Sequence, residues 1–160
     1  MMHMQGEPRT MQQAPRYDDV VEEVLGFFRE GMAVCAASGI DRQRLVLDPG
    51  FGFGKTLAHN YTLLGQLERF LSLQRPVLVG ISRKSMLGRL LGRPVEERLG
   101  GGLAAAVLAA TAGAGLIRVH DVRPTVDALT VLEASRRPER LAEPWELSGS
   151  EGGSAHGGLR

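Results

Sequence analysis

Three short apolar runs limit what this chain can fold into more than any other feature. Leu45-Val46-Leu47, Pro76-Val77-Leu78-Val79-Gly80-Ile81 and Leu116-Ile117-Arg118-Val119 are rich in β-branched residues and unbroken rather than alternating, the pattern of parallel strands covered on both faces. Their centres, Val46, Val79 and Val119, stand 33 and 40 residues apart, room for the crossover helix that parallel pairing requires. Four helical patterns fill the intervals and flanks. The first puts Val20, Val21, Val24, Leu25, Phe28 and Met32 on one stripe, with Asp18 and Asp19 at its start and Gly39 past its end. The second carries Leu63, Leu64, Leu67, Phe70 and Leu71 and stops before Pro76. The third runs from about 95 to 112, with Ala104, Val107, Leu108 and Thr111 on a small-residue face, and its Gly100-Gly101-Gly102 marks close backbone packing. The fourth opens with Pro124 near its first position and continues through Val126, Leu129 and Leu132.

A complete (β/α)8 barrel takes about 250 residues, roughly 31 per unit. Residues 1–136 therefore hold about four units, with the first strand in the opening residues: a small open α/β sheet or half of a barrel. Residues 137–160, rich in Pro, Gly, Ser and charge, read as a disordered polar tail. At 43% apolar and 23% charged residues, the chain is neither disordered nor fibrous nor a disulfide scaffold. No apolar run approaches the roughly 20 residues of a membrane span, and the N-terminus lacks a signal-peptide core. The expected compartment is the cytoplasm. A net charge of +1 argues for neither a nucleic-acid partner nor a charged membrane surface, and Cys35, the single cysteine, has no internal disulfide partner. Of 19 basic residues only Lys55 and Lys84 are lysine. A chain so biased towards arginine keeps lysine where a compact, strongly hydrated ammonium is wanted.

The unusual polar residues fall at the carboxyl ends of the expected strands: Asp48 after the first run, Ser82-Arg83-Lys84-Ser85 after the second, Arg118, His120 and Asp121 at the third. Open parallel sheets and barrels alike bind ligands at that end. Arg118 and His120, two apart on a strand, share a face and suit a phosphate-type anion, while Ile117 and Val119 are expected on the opposite face under helices. The Asp48-Pro49-Gly50-Phe51-Gly52-Phe53-Gly54-Lys55-Thr56 stretch is no P-loop, because Pro49 stands where the first glycine belongs, and no dinucleotide fingerprint, because Lys55 replaces the third glycine. Its glycines allow tight turns that present two phenylalanines to a flat aromatic ligand. His3, His59 and His156 have no metal-ligand spacing, and His59-Asn60 helps to start the second helix.

Taken together, MHMQGEPRTMQ (2–12), LDPGFGFGKTLAHNY (47–61), VGISRKSMLG (79–88) and RVHDV (118–122) resemble the dihydropteroate synthases, pterin-binding enzymes of folate biosynthesis, in order and spacing from Met2 to about Ala134. The resemblance implies the C-terminal half of a (β/α)8 TIM barrel, running from the end of strand 5 to helix 8. It implies a transferase that joins 4-aminobenzoate to 6-hydroxymethyl-7,8-dihydropterin diphosphate and releases diphosphate with Mg2+. Carried across, Asp48 matches the carboxylate on the pterin's amino-pyrimidine edge, and Lys84 the lysine on its carbonyl and ring nitrogen. Arg118 matches the arginine that stacks on pterin and meets diphosphate, with His120 beside it on the anion. Ser82 and Phe53 match the aminobenzoate pocket, Met4 and Gly80 the pterin wall, and Arg83 falls among the substrate contacts. Lys84, Arg118 and His120 are the expected catalytic residues. The departing diphosphate is the species to stabilise, and no side-chain nucleophile is required.

The resemblance also implies that the family's first four βα units are missing from this sequence, together with the asparagine that ligates magnesium. No metal ligand is therefore expected here. A half-barrel has two raw sheet edges, so the expected partner is a second copy or a separate N-terminal half, and the chain alone is expected to be inactive. The alternative is a non-catalytic half-barrel that binds pterin or an anion.

Overall fold

The structure, a computed structural model, describes residues 1–141. Four extended segments run parallel and in chain order. Residues 1–3 pair with 46–48 through the Met2–Asp48 bridge, and 46–48 pair with the next segment through the Leu47–Val77 bridge. That segment, β1 (Leu78–Val79), pairs in turn with β2 (Leu116–Ile117), with Leu78 opposite Leu116 and Val79 opposite Ile117. The ladder bonds include His3 N–H to Asp48 O at 3.0 Å, Leu78 N–H to Leu47 O at 2.8 Å and Arg118 N–H to Val79 O at 2.8 Å. Helices connect each segment to the next, as the spacing of the apolar runs requires.

Helix α1 (Val20–Ala37) begins where expected. Asp19 caps it, its carboxylate accepting from Val21 N–H at 2.9 Å and Glu22 N–H at 3.0 Å, and Gly39 follows at φ +75°. Its stripe of Val20, Val21, Val24, Leu25 and Phe28 is buried, with Met32 partly so. Helix α2 (Leu57–Gly65) starts on a capping box between Thr56 and His59, which bears out the role expected of His59.

The second helical pattern divides. After α2 the chain tightens into a 3-10 stretch, Leu67–Leu73, whose three-residue turn buries Leu67, Phe70 and Leu73 and swings Leu71 outward. The third also divides, into a 3-10 turn at Val95–Glu97 and helix α4 (Leu99–Thr111). Its inward face is Ala105, Ala106 and Ala109 rather than the Ala104–Leu108 side, and Leu108 is exposed. A helix apolar all round gives no stripe by which a sequence can orient it. Gly101 explains part of the glycine triplet: a Cβ there would come 2.7 Å from a Leu91 methyl. Leu91 ends helix α3 (Ser85–Leu91), which the sequence pattern did not reveal.

Helix α5 (Val122–Arg136) places Pro124 in its first turn and buries only Thr125, leaving Val122, Val126 and Val131 exposed. Of the tail expected from 137, Pro138–Arg140 forms one 3-10 turn and residues 142–160 lie outside the described residues.

Phe28, Phe51, Phe70, Leu47, Leu63, Leu67, Val21, Val24, Val77 and Val79 form the fully buried centre, each worth about 1.5–3 kcal/mol of apolar burial. This core lies beneath the parallel segments and holds their carboxyl ends together at one rim. No helix among the described residues is long and apolar enough to cross a membrane.

Candidate functional site

The last three extended segments deliver polar groups to the same rim. β1 leads through Gly80 and Ile81 to Ser82, Arg83 and Lys84, and β2 leads to Arg118, Val119 and His120. Gly80, Ser82, Lys84, Arg118, Val119 and His120 line one cleft of about 170 Å3. Gly80 lets the arginine cross the strand, since a Cβ there would lie 3.2 Å from Arg118 Nε and Nη2. Ser82 Oγ accepts from His120 N–H at 3.2 Å and lies 3.1 Å from His120 Nδ1, which fixes the imidazole beside the arginine. Val119 corrects the alternation expected of the third run. β2 ends at Ile117, so the two-residue period lapses and Val119 joins the cleft while Ile117 packs against the core.

Lys84 is half-buried, with its Nζ 4.6 Å from the centre of the Phe53 ring. It donates a hydrogen bond to Phe51 O. Burial pulls its pKa down to about 8; nearby Asp48 acts against that shift and Arg118 with it. Asp48 itself accepts from Gly50 N–H at 2.8 Å. Asp48 and Arg118 thus both lie close enough to act on the Lys84 charge, and a carboxylate, an ammonium and a guanidinium share a rim with His120. Such a mouth can receive an anion through its cations and a donor edge through its carboxylate.

The remaining expected residues occupy other positions. Arg83 takes the left-handed φ of +59° and binds Asp121 with two bonds, Nη2 to Oδ1 at 2.6 Å and Nε to Oδ2 at 3.2 Å. This pairing raises the Arg83 pKa and lowers that of Asp121, and Arg83 does not line the cleft. Met4 is partly buried on the first segment. Of the two phenylalanines expected to face a ligand, Phe53 stands at the rim but Phe51 is fully buried in the core. The chain turns at Gly50 (φ +69°) and Gly52 (φ +80°), and the residue between them is driven inward.

The 50–54 loop is held by side chains. Its five carbonyls accept, in order, from Lys55, Lys84, Gln12, Lys55 and Tyr17. Asn60, buried, accepts from Gly52 N–H at 2.6 Å. Sequence reasoning missed this scaffold, although the scarcity of lysine pointed to it, since both lysines of the chain hold this loop. Lys55 is 3% exposed and His3 7%. Burial, then the Lys55 charge, holds His3 down to about 4, and burial brings Lys55 to about 8.

Among the described residues no three His, Cys, Asp or Glu side chains gather to hold a metal ion.

Residues 1–120 match the family model described as pterin binding enzyme. The chain is 57% identical over 135 residues to the dihydropteroate synthase of Escherichia coli (strain K12), a match covering 84% of this chain and 48% of that protein. It superposes on a Yersinia pestis dihydropteroate synthase with a sulfonamide drug complex at TM-score 0.83 and 51% identity, covering 86% of this chain and 50% of that one. The Xanthomonas albilineans dihydropteroate synthase in complex with 7,8-dihydropteroate gives TM-score 0.78 at 51% identity, over 84% and 50% of the two chains. The chain spans about half the length of the curated relatives it matches, and its parallel segments and helices form part of a TIM barrel.

Proposed function

We propose, since this chain belongs to the family of pterin binding enzymes, that its rim supplies the pterin and diphosphate contacts of a dihydropteroate synthase. The single observation that carries this reading is the convergence of Lys84, Arg118, His120 and Ser82 on one small cleft at the strand ends, with Asp48 beside it. Asp48 accepts from the N–H groups of the amino-pyrimidine edge. Lys84 donates to the ring carbonyl and nitrogen. Arg118 and His120 take the diphosphate, Ser82 and Phe53 border the aminobenzoate, Met4 and Gly80 wall the pterin, and Arg83 steadies the turn that carries Ser82 and Lys84.

In the reaction the aminobenzoate nitrogen bonds to the pterin methylene carbon as that carbon's bond to the diphosphate oxygen breaks. The electron pair leaves with diphosphate, and the amine proton passes to solvent. Positive charge fixed where the leaving group gathers negative charge is the chain's main contribution. We assign turnover to the complete barrel, formed with a second copy or a complementary half, working in the cytoplasm. No step is routed through a metal.

The test is calorimetric titration of the full chain with inorganic diphosphate and with 6-hydroxymethylpterin. Arg118→Met should weaken diphosphate binding by about 10- to 100-fold, and Asp48→Asn should weaken pterin binding comparably, since the first leaves the anion's charge unmet and the second takes the carboxylate acceptor from the ring's N–H donors. Affinities unchanged in both variants would remove these residues from the site and with them the reading.

A further inference from the structure

The cleft accounts for Lys84 but not for the other lysine. Lys55 points inward at the base of the 50–54 loop, and the three donors of its ammonium meet three acceptors: His3 Nδ1 at 2.9 Å, Gly50 O at 3.0 Å and Phe53 O at 3.0 Å. Nothing is left over on the ammonium. A planar guanidinium with five donors would not fit such a cage, which gives a physical reason for lysine in a chain otherwise furnished with arginine.

We propose that Lys55 is a positioning residue for the pterin site, its buried ammonium setting the 50–54 loop so that the Asp48 carboxylate and the Phe53 ring meet the ligand. The proposal rests on the pterin reading of the cleft. Gly50 is the node. Its N–H is held by Asp48 and its carbonyl by Lys55 and by Phe53 N–H at 3.1 Å. The Lys55 bond to Phe53 O fixes the backbone from which the ring reaches Lys84. His3 ties this node to the first parallel segment, and burial keeps its imidazole neutral, which leaves Nδ1 able to accept from the ammonium 2.9 Å away. The Arg118 and His120 side of the cleft stands on β1 and β2 and does not touch Lys55. Lys55 therefore governs the half of the site that reads the heterocycle and leaves the half that holds the anion alone.

Lys55→Met in the full chain tests this through two readouts. Amide hydrogen exchange of the 50–54 peptide, without ligand, should accelerate by roughly 10- to 100-fold, while α1 peptides keep their protection. Affinity for 6-hydroxymethylpterin should fall by a similar factor, with affinity for inorganic diphosphate unchanged to within about twofold; a general loss of structure would lower both together. Unchanged loop exchange, or equal loss of both ligands with the loop still protected, overturns the proposal. Should Lys55→Met not fold, His3→Phe removes one acceptor while keeping a ring against Phe27 (centroids 5.1 Å apart in the native chain). It should quicken loop exchange to a smaller degree, and native-like exchange there refutes the proposal. If the unaltered chain has no pterin affinity, the functional reading fails, and loop exchange still decides the role of Lys55.

Discussion

Gly50→Ala is expected to be among the costliest single-methyl additions this chain can receive. The Cβ would lie 1.8 Å from His3 O, a backbone atom that no rotamer change can withdraw, and Gly50 sits at φ +69°. The left-handed backbone alone costs about 1–2 kcal/mol for an alanine. The collision must in addition push residues 1–3 from 46–48, breaking the first rung of the parallel ladder. A total above about 4 kcal/mol is expected, in the range kept for disrupted cores and networks. Gly39→Ala is the control, since Gly39 shares the positive φ, at +75°, but has open space around it. Urea unfolding of the two variants separates backbone conformation from collision. Equal costs would mean that the close approach of the first two segments is not a fixed feature of the fold.

Lys84→Met is expected to weaken binding of 6-hydroxymethylpterin by about 10- to 100-fold at pH 7 and to change how it depends on pH. The Lys84 amine, brought down to about 8 chiefly by burial, is cationic below that pH and neutral above it. Pterin affinity of the unaltered chain should therefore fall as pH rises through 8, and the fall should be shallower in Lys84→Met. Stability moves in the opposite direction. Between the folded value near 8 and the unfolded value of 10.5, the unfolded chain keeps a proton that the folded chain has released, so stability rises with pH across that window. Lys55 follows the same course, so Lys84→Met should flatten the rise without abolishing it. Parallel pH profiles of pterin affinity in the two proteins would show that Lys84 does not face the heterocycle.

The parts of the fold visible in the sequence are those with one dominant physical cause. Unbroken apolar runs mark segments buried on both faces, and their spacing leaves room only for crossovers. Asp19 announces the start of α1 because its side chain accepts hydrogen bonds from the first-turn amides, and His59 that of α2 because it closes a capping box with Thr56. Helix α3 stayed hidden because it is seven residues long and its N-cap, Lys84, has no acceptor to offer. The turn of Leu71 to the surface follows from a change of helical period, which apolar pattern alone does not encode.

The rim was legible for a similar reason: charged side chains at the ends of apolar strands have few structural roles. Its foundation was not. His3 and Lys55 lie 52 residues apart in sequence, and Phe51 and Phe53 look alike until the positive-φ glycines send one inward and the other to the cleft.

The engagement of both lysines by one loop also determines how the native chain meets a protease that cleaves after lysine. Its two candidate scissile bonds, Lys55–Thr56 and Lys84–Ser85, lie at the starts of α2 and α3, and in each the lysine needed for recognition is already committed to the loop. Digestion by such an enzyme must wait for that loop to open. Its rate therefore clocks the breathing of the 50–54 loop.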